Sequence, residues 1–247
     1  MTGGTGMAFD IVSFDLDGTL VDTAAEIAEA ANRTLETHGI ARRPVEEITQ
    51  FIGAGTHELM RRVLARVFQE QPALEQLIST GEVLRSLDVH YADTTGTTSM
   101  PYAGAHEALA RLKGAGIRLA CTTNKELRHT QRLLDKQDMR HWFDIVIGGD
   151  SLPFKKPDAR VLGHVVSTLG GDPRRAAHLG DSHTDVLAAR NAGIAVWAVP
   201  YGYNAGQPIE ASRPDRLFPD LQSVADHVLQ GRLPARASSI TTGTRET

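Results

Sequence analysis

The chain carries a single cysteine, Cys121, in 247 residues, so no internal disulfide can form. A reducing, cytoplasmic compartment is the natural expectation. No apolar run is long enough to span a bilayer, which excludes a helical membrane anchor within this sequence. The leading MTGGTGM has neither a charged start nor an apolar stretch and does not read as a secretory leader; Met7 is an alternative start. Excess positive charge is missing too. A net charge of −4 and a pI near 6.2 offer no footprint for nucleic acid. The 10 histidines show no metal-ligand spacing. What remains is an ordinary globular composition, 41% apolar and 23% charged, in a chain long enough for a large core with a smaller insert. An acidic substrate would have to be captured locally, by a metal or a few cations.

The first clear strand pattern is FDIVSFDL, Phe9 to Leu16, apolar and β-branched. Residues 22–93 then read as helix. AAEIAEAANRTLETHG has helical apolar spacing and stops at Gly39; THELMRRVLARVF and EQLISTGEVLRSLDVHYA continue in the same style. DTTGTTSMPYAG is a linker. From Gly104 helices and strands alternate: AHEALARLKGAG then IRLACTT, NKELRHTQRLLDKQ then FDIVIGG, DARVLGHVVSTLG then AAHLGD, TDVLAARNAG then AVWAVP. Such alternation predicts an α/β fold, a Rossmann-like three-layer core with a mostly parallel sheet. The expected organisation is a core of 1–20 and 100–247 with an all-helical cap inserted at 21–99. Tails at about 1–7 and 233–247 are expected to be disordered.

In open α/β sheets, ligands bind beyond the carboxyl ends of the strands. The expected strand ends carry Asp15 and Asp17, then Thr123, Asn124 and Lys125, then Lys155 and Lys156, then Asp181 and Asp185. Clustered carboxylates repel one another and require a cation or raised pKa values. Hard oxygen donors suit Mg²⁺, which takes one or two carboxylates and keeps waters and a phosphate oxygen. A lysine and a threonine hydroxyl on the same rim suit a phosphoryl group. The residues therefore point to a magnesium-dependent phosphoryl-transfer site. Gly18 supplies freedom for the turn that follows the two acids.

DLDGTLVD, TTNK, KKPD and GDSHTD, in this order, resemble the four motifs of the haloacid dehalogenase-like hydrolases. FIGAG, VIGGD and YGYNAGQPIEASRPD resemble the phosphoglycolate phosphatase-like subgroup. The chain departs from that subgroup at Ala159, where proline is usual, and at Gly53-Ala54-Gly55, where the subgroup has Gly-Asn-Gly. The resemblance implies Asp15 as nucleophile and Asp17 as acid and base. It implies Thr123 and Lys156 as ligands of the phosphoryl group, and Mg²⁺ held by Asp15, Asp181 and the backbone carbonyl of Asp17. Asp185 would act from behind these. The implied reaction is hydrolysis of 2-phosphoglycolate through an aspartyl-phosphate. The alternatives are another small-metabolite or sugar-phosphate phosphatase, a phosphomutase, a dehalogenase, or a non-catalytic phosphate-binding regulatory module.

Blander readings stand beside these. Asp15 and Asp17 could open a calcium loop ending at Glu26, but Thr19 and Val21 are poor ligands. Asp185 could be a charge at a helix N-terminus. Asn124 could be a helix cap or a substrate contact. Lys155 and His183 are expected to face solvent, and Cys121, Trp142 and Trp197 to be core. In the insert, Gly55 and the helix start after it offer free N–H groups for a substrate carboxylate. His57, Arg61 and Arg62 lie close by, and an arginine there could add a bidentate clamp.

Overall fold

A computed structural model describes residues 8–231; the two tails expected to be disordered lie outside the described residues. The sheet strands are β1 (Ile11–Phe14), β4 (Arg118–Thr122), β5 (Ile145–Ile147), β6 (Ala176–Gly180), β7 (Ala195–Ala198) and β8 (Arg216–Leu217), and β2 (Val21–Asp22) pairs with β3 (Met100–Pro101) outside it. The six-stranded sheet has the order β5-β4-β1-β6-β7-β8 and is parallel throughout. From β1 the chain runs outward through β4 to β5 and then crosses back to β6 on the other side of β1, so the strand order reverses beside β1 and opens a crevice at its carboxyl end.

Period-two alternation along β1 explains the layers. Val12 and Phe14 enter one buried cluster with residues of α5 (Ala105–Gly114), α6 (Leu127–Lys136) and α9 (Leu221–Gln230). Ile11 enters another with residues of α7 (Ala159–Thr168) and α8 (His183–Ala192). Both faces are covered, as a parallel sheet requires. Cys121 and Trp197 are buried, and Trp142 packs half-buried against the first cluster.

Between β2 and β3 the chain forms α1 (Ala24–Thr37), α2 (Val45–Thr49), α3 (Thr56–Glu70) and α4 (Thr80–Thr94). These helices bury a cluster of their own, including Ile27, Leu35, Met60, Leu64, Leu87 and Tyr91. Each such side chain contributes roughly 1.5–3 kcal/mol by leaving water. Three local expectations are corrected. The linker at 93–104 contains β3, whose pairing with β2 ties the two ends of the helical segment together. The stretch after Gln71 is a 3₁₀ turn at Pro72–Gln76 followed by a separate helix, because Ser79 interrupts it as the N-cap of α4. α6 begins at Leu127, three residues later than its sequence pattern suggested, so Asn124 and Lys125 sit in a loop.

Candidate active site

Asp15, Thr123 and Asp181 each stand one residue past the end of a strand. The register that pairs Phe14 with both Cys121 and Leu179 brings Asp15, Thr123 and Asp181 to one edge of the sheet. The Asp15 N–H still donates to Leu179 O (2.9 Å), and the Thr123 N–H to Ile147 O (2.9 Å), so both residues are fixed by the ladder. The turn after Asp15 has Gly18 at φ 82°, and a Cβ there would lie 2.4 Å from Asp181 Oδ2. Glycine is thus required twice, for the backbone and for the approach of the aspartate.

Lys156 is the buried cation of the site. Its Nζ donates to Asp185 Oδ1 (2.6 Å) and Thr122 O (2.8 Å). It also lies 2.8 Å from Asp15 Oδ1, off hydrogen-bond geometry. Burial disfavours the ammonium, but the charges of Asp15 and Asp185 outweigh it and hold the lysine protonated. Burial raises the carboxyl of Asp15 to about 6, against the opposing charge of Lys156. Asp181 is raised well above its usual range, by burial first and then by the charges of Asp185 and Asp15. For Asp185, burial is outweighed by Lys156 and His178, and its pKa falls.

Asp15, Asp181 and Asp185 each bring a carboxylate oxygen within 4.8 Å of the others. Asp15 Oδ1 faces the Lys156 ammonium at 2.8 Å, and two of the three acids are held above their normal pKa. The clustering and the raised pKa values fit a bound cation, and an all-oxygen donor set fits a hard one. Asp185 is already engaged. Its Oδ1 receives Lys156 Nζ (2.6 Å) and His178 Nε2 (3.1 Å), and its Oδ2 receives the Ser182 hydroxyl (2.5 Å). It also completes a capping box with Ser182 at the start of α8, so the helix-terminus and site readings hold together. Asp181 accepts one donor on each oxygen, Thr19 Oγ1 (3.1 Å) and the Tyr203 N–H (2.6 Å). The Asp17 side chain is not in the carboxylate group. Its Oδ1 accepts from Thr23 Oγ1 (2.7 Å) and Lys125 Nζ (2.7 Å).

Beside this group lies a cavity of about 20 Å³ lined by Asp15, Asp17, Thr123, Asn124 and Lys125, with Ile27, Ile52 and Leu59 from the helical segment. That is room for about one water. Loop 53–56 closes it. Asn124 Nδ2 donates to Gly53 O (3.0 Å) and to Lys156 O (3.0 Å), so Asn124 is not a helix cap; Glu126 holds the N-cap position of α6. Lys155 is exposed, but its Nζ donates to Ala54 O (2.7 Å), which corrects the expectation of a purely solvated side chain. Thr56 Oγ1 donates to Glu126 Oε2 (2.7 Å). Gly55, the N-cap of α3, has φ 93°, and a Cβ there would meet Asn124 O at 2.9 Å.

Of the cations near α3, Arg62 pairs with Glu58 (3.0 Å) and Arg61 lines a separate outer cavity. His57 pairs with Asp88 (2.9 Å). His183 is exposed, with its ring against Ser212. Sequence reasoning placed Lys125 at a strand end without giving it a role, and it missed His178 and Tyr203. His178 is fully buried, and burial depresses its pKa; Nε2 carries the proton, since a carboxylate oxygen only accepts. The Tyr203 N–H donates to Asp181 Oδ2 (2.6 Å), while its hydroxyl donates to Asp22 Oδ1 (2.5 Å) and accepts from the Thr23 N–H (2.7 Å). Only Lys125 had a local signal, its place beside Thr123 at a strand end.

The haloacid dehalogenase-like hydrolase family matches residues 12–199. A phosphoglycolate phosphatase of Psychrobacter arcticus is 34% identical over 228 residues, 89% of this chain and 96% of that protein. One of Nitrosospira multiformis is 39% identical over 210 residues, 85% of this chain and 91% of that protein. The crystal structure of a predicted phosphoglycolate phosphatase from Haemophilus somnus superposes with a TM-score of 0.84 at 30% identity, covering 88% of this chain and 97% of that one. Among the described residues no helix is long and apolar enough to cross a membrane. With the matched segment spanning β1 to the end of β7 and the acids of both ends meeting in one buried group, the chain belongs to the haloacid dehalogenase-like hydrolases, as a phosphatase of the phosphoglycolate phosphatase-like kind.

Proposed function

We propose that the protein hydrolyses 2-phosphoglycolate to glycolate and phosphate, with Mg²⁺ as cofactor and through an aspartyl-phosphate on Asp15. The observation that carries this is the single buried group of Asp15, Lys156 and Asp181 beside a cavity that Asp17 and Thr123 also line. Asp15 attacks phosphorus, and the bond to the substrate oxygen breaks with its electron pair on that oxygen. Asp17 gives it a proton, and glycolate leaves. Asp17, now ionised, takes a proton from water as the water attacks phosphorus and frees Asp15. Lys156 balances charge on the phosphoryl oxygens and holds Asp15 in line, while the Thr123 hydroxyl contacts a phosphoryl oxygen. Mg²⁺, held by Asp15, Asp181 and the Asp17 carbonyl, would neutralise the phosphoryl charge. Asp185 and His178 keep Lys156 oriented.

The helical segment 24–94 acts as a cap, within the boundaries 21–99 set by the sequence pattern. The cavity as it stands holds about one water, so loop 53–56 must lift and the cavity widen to admit even a small substrate. The first-turn amides of α3, which no side chain caps, face the substrate carboxylate. Asn124 and Lys155 then act on the loop from the core side, through the carbonyls of Gly53 and Ala54. Phosphate release from a panel of small phosphate esters is the direct test. 2-Phosphoglycolate is expected to have the highest kcat/KM; a sugar phosphate ahead of it would overturn this assignment.

Gly55→Val gives an independent check on the loop. A Cβ cannot fit against Asn124 O, so the cap would close incompletely. The expected loss of kcat/KM is about 10²-fold for 2-phosphoglycolate. For an aryl phosphate, whose leaving group needs less help from a sealed site, the expected loss is several times smaller. Equal losses for both would show that this loop does not select the substrate.

A further inference from the structure

Lys125 is the second buried cation at the site, and the reaction just described assigns it no task. Its side chain is 1% exposed. The backbone is pinned on both sides: the Lys125 N–H donates to Thr123 Oγ1 (3.3 Å), and its carbonyl accepts from the Gly149 N–H (2.7 Å) and Thr130 Oγ1 (3.3 Å). The ammonium contacts Asp17 Oδ1 at 2.7 Å. It lies 4.9 Å from the ring centroid of Tyr91, over the ring face. Tyr91 belongs to α4, in the helical segment, and is itself buried. Its ring lies 4.5 Å from that of His129 of α6, tilted by 55°, and its hydroxyl has no hydrogen-bond partner. The ring, not the hydroxyl, is therefore what Tyr91 contributes here. Glu26 of α1 lies within range of the same positive charge, with one buried oxygen unpartnered.

Asp17 Oδ1 receives two donors, Lys125 Nζ and Thr23 Oγ1. Two donors on Oδ1 fix the rotation of the Asp17 carboxyl group, and Oδ2 receives neither of them. Thr23 and Tyr91 come from the helical segment, while Lys125 and Asp17 come from the core. The anchor of the acid is thus assembled across the interface between them.

We propose that Lys125 is a positioning residue for Asp17, seated on the ring face of Tyr91, so that its contact with a ring from the helical segment is what holds the Asp17 carboxyl group in one orientation. The proposal rests on the reading of Asp17 as the acid that protonates the leaving oxygen. It gives the cap a task beyond excluding water. A cation over an aromatic face in a desolvated place is held by the ring quadrupole. Losing that face frees the lysine, and a freed lysine leaves Asp17 held by Thr23 alone.

Leaving-group dependence separates this role from a structural one and from a clamp on the substrate carboxylate. Phenyl phosphate and 4-nitrophenyl phosphate share a ring and carry no carboxylate, but only the poorer leaving group, phenolate, needs a proton. The ratio of kcat/KM for phenyl over 4-nitrophenyl phosphate is expected to fall by about tenfold in Lys125→Met and in Tyr91→Leu. Tyr91→Phe, which keeps the ring, is expected to restore it to within about twofold of the unaltered protein. An unchanged ratio with equal losses on both esters would make the role purely structural. A loss confined to 2-phosphoglycolate would make Lys125 a carboxylate clamp. Either result overturns the proposal. If Lys125→Met does not fold, the two Tyr91 variants decide the matter alone. Failure of the unaltered protein to hydrolyse any of the three esters would instead overturn the phosphatase assignment of the site.

Discussion

Asp15→Asn is expected to remove turnover, lowering kcat by about four orders of magnitude or more, while the protein stays folded. Asp15 is the carboxylate that ends the central strand, and its Oδ1 lies 2.8 Å from the Lys156 ammonium. Asp181 and Asp185 are committed elsewhere, to Thr19 and Tyr203 and to Lys156, His178 and Ser182, so neither can replace it. The amide keeps the shape and loses the nucleophile. Stability separates chemistry from folding. Burial holds the Asp15 carboxyl at about 6, so its ionised form weighs against the metal-free fold at neutral pH. A neutral amide lifts that penalty, and the melting temperature without metal is expected to stay level or rise. Substantial phosphatase activity in the purified variant would refute Asp15 as nucleophile.

Stripping the protein of divalent metal is expected to abolish activity, with Mg²⁺ restoring it and Ca²⁺ failing to. Mg²⁺ demands near-octahedral geometry, whereas Ca²⁺ takes more ligands and can engage Asp15 through both oxygens, which blocks its attack. Full activity in excess EDTA after verified metal removal would sink the metal assignment. The same acids give a signature independent of turnover. Asp15 moves from the ordinary 3.8 to about 6, and Asp181 moves in the same direction, mainly through burial. Raised carboxyls mean that the fold binds more protons than the unfolded chain between the two values. Metal-free stability therefore falls as pH rises from about 4 to 6 and stays reduced above that. A cation takes the place of those protons. Mg²⁺ is expected to raise the melting temperature by about 5 °C or more near pH 8 and by much less near pH 5. A shift independent of pH would mean that the ion binds away from these acids.

Much of this was legible in one dimension because it is local. The alternation of helical and strand patterns after Gly104 is set by which face of each segment meets the core, and each segment shows its own period. A polar residue that follows a buried strand stands at its end, so Asp15, Thr123 and Asp181 could be placed at the rim before any pairing was known. The four motifs made their order along the chain recognisable. Boundaries held less well where a loop competes with a helix: Asn124 and Lys125 look helical in sequence, yet their side chains and backbone make tertiary hydrogen bonds that a helix start there would disrupt.

What only the tertiary structure decided is who meets whom. Alternation does not say that β1 lies between β4 and β6, yet that order alone places Lys125 against Asp17, 108 positions earlier in the chain. It equally sets His178 behind Asp185 and the Tyr203 N–H on Asp181. Loop 53–56 rests on Asn124 and Lys155 because Gly55 lets two backbones approach, a constraint that exists only once both are folded. Hydrogen bonds and ion pairs between loops depend on angstrom-scale placement by the sheet, and no local propensity or spacing in the sequence carries that information.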